Sequence, residues 1–115
     1  MYDLEDRTLK LAVAVRNYAN LLPKTIANIE DTKQLIRSSG SIGANYIEAN
    51  GALGRKDFLM RIRISRKEAK ETIYWLNIIL KTNNLNSDIK SKGESLIKET
   101  GEIRNILSAI LKKSV

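Results

Sequence analysis

Cysteine and histidine are both absent from these 115 residues, and proline, phenylalanine and tryptophan occur once each. Without cysteine there is no disulfide and no thiolate metal site, a composition at home in the cytoplasm. Without histidine the chain lacks the commonest general base and the commonest transition-metal ligand. Long apolar runs are missing too. Stretches such as LAVAV (residues 11–15) fall far short of the ~20 residues that cross a bilayer. The opening MYDLEDR is acidic where a signal peptide is basic and then apolar, so a cytoplasmic protein with no membrane partner is expected.

What is present is a globular balance of 43% hydrophobic and 29% charged residues in 13.0 kDa, which predicts one domain over residues 1–115. Lysine and arginine outnumber the acids to a formal charge of +7, with a pI of about 9.8. That excess favours an anionic partner such as nucleic acid. Many small basic proteins, however, carry such charge only as a solvated surface.

Apolar spacing predicts four helices and no strand. The first runs from Leu4 to Leu22 on Leu4, Leu11, Val15, Tyr18 and Leu22, with Asp3, Glu5 and Asp6 at its N-terminus and Pro23 as its stop. The second spans Ile26 to Leu53 on two heptad lines, Ile29–Ile36–Gly43 and Leu35–Ile42–Ala49, closed by Gly51 and Gly54. The third starts near Arg55 or Asp57 and continues to Thr82, about 40 Å at ~1.5 Å per residue. Its core line is Phe58, Ile62, Ser65, Ala69, Thr72, Leu76 and Ile79. After the polar turn holding Asn83, Asn84, Asn86, Ser87 and Asp88, the fourth repeats Ile89, Leu96, Ile103 and Ile110 at intervals of seven, with Ile106 and Leu107 beside them. Gly93 and Gly101 weaken it and predict frayed first turns. Short connections make neighbours antiparallel, so the expected fold is an all-α, up-down-up-down four-helix bundle.

The stretch Lys33–Ala49, KQLIRSSGSIGANYIEA, keeps helical spacing although it is dense in serine, glycine and alanine. Each glycine inside a helix costs about 1 kcal/mol relative to alanine, a cost recovered where another backbone comes close. The stretch therefore predicts a tight helix contact rather than a catalytic loop. Arg37, Ser41, Asn45 and Glu48 lie along one face of it as a polar row, suited to fixing register more than to holding a ligand.

At about 100° per residue the third helix separates into three faces. Beside the core line, one arc gathers Lys56, Arg63, Arg66, Lys67, Lys70 and Lys81 with Tyr74 among them. Cations at this spacing can follow a phosphate backbone, and Tyr74 can stack on an unpaired base; the plain alternative is a solvated face. The third face carries Met60, Ile64 and Trp75 beside Arg61, Glu68 and Glu71. Ile64 and Trp75 suggest a contact with another copy of the chain, the alternative being that Trp75 covers the core's edge.

Catalytic constellations are hard to assemble. A di-metal carboxylate site would draw on Glu48, Glu68 and Glu71, without the Glu-x-x-His pairs such bundle sites use. The glycines lack the Gly-Lys-Ser/Thr ending of a phosphate loop. Ser38, Ser39 and Ser41 have no histidine base. No cofactor, no metal and no enzyme activity are expected.

RSSGSIGANYIEA (Arg37–Ala49) followed by DFLMRIRISRKEAKETIYWL (Asp57–Leu76) resembles the four-helix-bundle proteins of the 23S rRNA intervening-sequence type, once labelled S23 ribosomal proteins. The matched positions are Arg37, Ser41, Asn45, Glu48, Ala49, Glu71 and Leu76. Two departures stand out: Ala49-Asn50 precede Gly51 where relatives place glycine directly, and Lys67-Glu68 replace a Gly-Ser. The resemblance implies an antiparallel bundle assembled as a homopentameric ring. The chain further resembles the accessory variability protein of diversity-generating retroelements, whose basic surface contacts nucleic acid and a reverse transcriptase. The expected function is thus a non-enzymatic homo-oligomer binding RNA or DNA through Lys56, Arg63, Arg66, Lys67, Lys70 and Tyr74. The alternative is a scaffold for an unidentified protein partner, with no affinity for nucleic acid.

Overall fold

The computed structural model describes residues 3–114, and among them the only regular elements are four helices: α1 (Leu4–Ala19), α2 (Ile26–Asn50), α3 (Arg55–Thr82) and α4 (Ser87–Ser114). Three starts are capped by side chains that satisfy an otherwise orphaned amide. Asp3 accepts from the Asp6 amide at 3.2 Å, Thr25 from Asn28 at 3.1 Å, and Asn86 from Ile89 at 2.9 Å. Successive helices run antiparallel. α3 packs against α2 and α4, α1 packs against the same two, and α1 and α3 stand on the diagonal of the bundle. No helix is long and apolar enough to cross a membrane among the described residues.

One core runs the length of the bundle, with Leu11 and Val15 of α1, Leu35 and Ile42 of α2, Ile62 and Leu76 of α3, and Ile103 and Leu107 of α4 among its buried residues. The small-residue stretch of α2 makes a close approach to α1. A methyl group at Gly43 would stand 2.6 Å from Thr8 Oγ1 of α1, and Ser38 and Ser39 are fully buried. Toward α3 the seam is polar, and its buried hydroxyls are hydrogen-bonded. Ser65 donates to the Ile42 carbonyl at 2.7 Å, and Thr72 donates to the Glu68 carbonyl at 2.8 Å with Ser38 Oγ 2.9 Å away. At the far end of the same seam the Asn28 and Asn83 side-chain amides bond reciprocally, at 2.7 and 2.9 Å.

Several boundaries differ from the sequence-based expectation. The first helix stops at Ala19, not Leu22: the amides of Leu21 and Leu22 reach back only three residues, to Tyr18 and Ala19, because Pro23 disfavours a helical Leu22. Leu22 is buried all the same, from a turn. The second helix stops at Asn50, not Leu53; with Gly51 and Gly54 so close together and Leu53 fully exposed, no burial offsets the glycine cost. In α3, Phe58 is only half-buried, and Leu59 is buried in its place on the line that two turns later carries Arg66 toward α4. In α4 the buried large apolar residues are Leu96, Ile103, Leu107 and Leu111, while Ile89, Ile106 and Ile110 are partly covered. Its first turns are regular helix rather than frayed, since Gly93 is buried where Tyr18 and Leu80 approach too closely for a side chain.

Candidate nucleic-acid interface

α3 carries eight lysines and arginines against three acids, so it supplies most of the +7 of the chain. Lys56, Arg63, Lys67, Lys70 and Lys81 are exposed, and Arg66 is half-buried with its guanidinium 3.5 Å from Ser108 of α4. Tyr74 stands among them at 59% exposure, its ring meeting Trp75 edge-on at 5.2 Å between centroids. The helix sits here because its opposite arc, Ile62 to Ile79, fills the core, which leaves the five exposed cations on the outer side of the bundle.

The acids of α3 are held elsewhere. Glu68, only 6% exposed, and Glu71 both pair with Arg37 of α2, at 3.3 and 3.0 Å. The guanidinium is close enough to Glu68 for attraction but not aligned for a hydrogen bond, so Glu68 Oε1 is buried without a hydrogen-bond partner among the described residues. Two carboxylates thus lie on the α2 side of the helix, partnered by Arg37, and Asp57 is the acid near the cationic arc at the N-terminal end of α3.

The polar row of α2 is brought together in part. Ser41 donates to the Arg37 carbonyl at 2.9 Å, Asn45 donates to the Ser41 carbonyl at 2.9 Å, and Arg61 of α3 donates to Asn45 Oδ1 at 3.2 Å. The Glu48 side chain is exposed and makes no hydrogen bond among the described residues. Glu48, Glu68 and Glu71 do not converge, and no group of three His, Cys, Asp or Glu side chains could hold a metal ion among the described residues.

Ile64 and Trp75 are both half-buried, Trp75 packed against the core with its indole N–H buried and unpartnered among the described residues. More exposed apolar side chains lie elsewhere, among them Leu9 and Val13 on α1, Ile29 and Ile47 on α2, and Leu53 in the α2–α3 turn. Ile29 is thus exposed although spacing puts it on a heptad line of α2; the line that packs into the core is Leu35–Ile42–Ala49, and a face turned away from the core leaves no periodic signal of its own. A second seam also went unread. Arg7 of α1 bonds Glu99 of α4 at 3.0 Å through Nε and reaches Glu102 at 3.3 Å. The hydrogen bond to Glu99 is the largest influence raising the Arg7 pKa, with burial acting against it.

A family model described as "23S rRNA-intervening sequence protein" matches residues 3–109. Among solved structures, a protein of unknown function from the S23 ribosomal protein family of Bacteroides thetaiotaomicron VPI-5482 is similar at 35% identity and a TM-score of 0.82, covering 94% of this chain and 97% of that one. No curated protein matches the chain. Neither description names a reaction.

Proposed function

The chain belongs to the 23S rRNA-intervening sequence protein family, and we propose that it acts in the cytoplasm as a non-enzymatic, self-assembling bundle whose α3 face holds RNA or other nucleic acid by its phosphates. The observation that carries this reading is the unopposed charge of α3: five exposed cations on one arc, with Glu68 and Glu71 turned away to Arg37. Lys56, Arg63, Lys67 and Lys70 supply most of the attraction, Arg66 adds to it from the α4 side, and Tyr74 stacks on an unpaired base. Binding of a structured RNA should weaken linearly in log affinity as log salt rises. Reversing Arg63, Lys67 and Lys70 to glutamate should lower affinity about a hundredfold or more at low salt. Affinity that ignores salt, or survives the reversal, overturns the proposal.

Self-assembly is read from the apolar edge of α3 that carries Ile64 and Trp75, both half-buried. The expected ring of five would scatter light as five times the 13.0 kDa chain; a peak that stays monomeric at high concentration removes it. Leu9, Val13, Ile29 and Ile47 favour a second reading, a scaffold for another protein. That reading predicts copurification with a protein and no affinity for RNA at physiological salt.

A further inference from the structure

At the α2–α3 turn the bundle presents a shallow hollow of about 710 Å³, lined by Leu53, Met60, Arg55, Lys56, Asp57 and Arg63 among others. Leu53 is fully exposed and Met60 is 45% exposed. A single exposed leucine needs no explanation. Two large apolar side chains sharing one hollow with three cations and one acid are a different matter, because they offer a partner two kinds of contact at once.

From this juxtaposition we infer that the turn is a docking site for unpaired nucleotides, so that the chain prefers single-stranded or looped nucleic acid to a duplex. The inference rests on the reading of α3 as a phosphate-binding face. Lys56 and Arg63 belong both to the hollow and to the cationic arc, which continues through Lys67 and Lys70 to Tyr74, about 27 Å along the helix at 1.5 Å per residue. A duplex presents phosphates outward and keeps its base faces stacked, leaving Leu53 and Met60 nothing apolar to cover. An unpaired strand keeps the phosphates and frees the flat faces of its bases, which apolar side chains can shield from water. Leu53 and Met60 at one end of the arc and Tyr74 near the other would then take separate bases from one strand. An anionic membrane offers the same charge, but binding in its plane needs an amphipathic helix lying flat. Here the helices on both sides of the turn are packed into the bundle, and the cations run up α3 in a line.

The test compares the full chain with Leu53→Ser, Met60→Ser and, as a control for lost apolar surface, Leu9→Ser, an exposed site on α1. Probes are a single-stranded oligouridylate, an RNA duplex of the same length, and vesicles of mixed phosphatidylcholine and phosphatidylglycerol. Circular dichroism establishes that each variant folds. The expected result is tighter binding of the single strand than of the duplex. The double variant Leu53→Ser/Met60→Ser should lose about tenfold on the single strand and little on the duplex, with Leu9→Ser unchanged. Equal losses on both RNAs, no loss at all, or the same loss from Leu9→Ser overturns the inference. If both RNAs bind equally and only the reversal of Arg63, Lys67 and Lys70 abolishes binding, the phosphate-binding face stands and this inference falls. If neither RNA binds at low salt, both fall. Vesicle binding that depends on Leu53, with no single-strand preference, replaces the inference with a membrane contact.

Discussion

The Tyr18 hydroxyl is buried near Gly93 of α4 and Leu80 of α3 with no hydrogen-bond partner among the described residues, and desolvation pushes its pKa above the ordinary 10.0. In the unfolded chain the same phenol ionises near its ordinary value, so above about pH 10 the unfolded state loses its proton first and is favoured. Stability should therefore fall as pH rises from about 10 toward the higher folded value, and Tyr18→Phe should flatten that fall in an alkaline denaturation series. At neutral pH the same substitution removes an unsatisfied polar group and should hold or raise stability by about 1 kcal/mol in urea unfolding. Arg37 gives the opposite case. Arg37→Ala strands the buried Glu68 carboxylate and should cost about 2 kcal/mol or more, whereas Glu71→Ala breaks an exposed pair and should cost under about 1 kcal/mol. Equal costs would mean that Glu68 draws nothing from Arg37. The sequence placed Tyr18 on the core line of the first helix, but the fate of its hydroxyl depends on residues more than sixty positions away. Side-chain spacing carries no such information.

Among the helices, the two interior glycines of α2 behave differently, and the contrast can be measured. Gly43→Ala drives a methyl group against Thr8, whose hydroxyl is fixed by a 2.6 Å bond to the Leu4 carbonyl, and should destabilise by about 1–3 kcal/mol. Gly40→Ala meets only the mobile end of Arg16 at 3.6 Å and should stabilise by roughly 0.5–1 kcal/mol through helix propensity. Thermal unfolding of the pair should move in opposite directions. The spacing of small residues marked the close contact in advance, yet it could not say which glycine made it, because that choice is set by the facing helix. Helix existence was legible throughout, since an apolar stripe is a local pattern. Helix ends were less so. Leu22 is buried as a continuing helix would bury it, but from a turn, and Leu53 gave no signal that it would face solvent.

Over the whole molecule the distribution of charge matters more than its total. The described residues form a body 46 × 24 × 20 Å, with α3 along one long edge and α1 on the diagonal from it. The cationic arc was legible because a period of about 100° sorts residues into faces without any knowledge of packing. The hollow at the α2–α3 turn was not, because reading the second helix through to Leu53 hid the turn that exposes it. The hundredfold loss expected from reversing Arg63, Lys67 and Lys70 tests the arc as a unit, and the single-strand preference tests its end. The Arg37 clamp on Glu68 and Glu71 has a further effect at this scale. Because Glu68 and Glu71 sit on the α2 side of α3 and are partnered there, the protein is electrically lopsided, with its positive pole on that helix. Diffusing near any polyanion, the molecule would be turned by the field before contact, so that α3 arrives first.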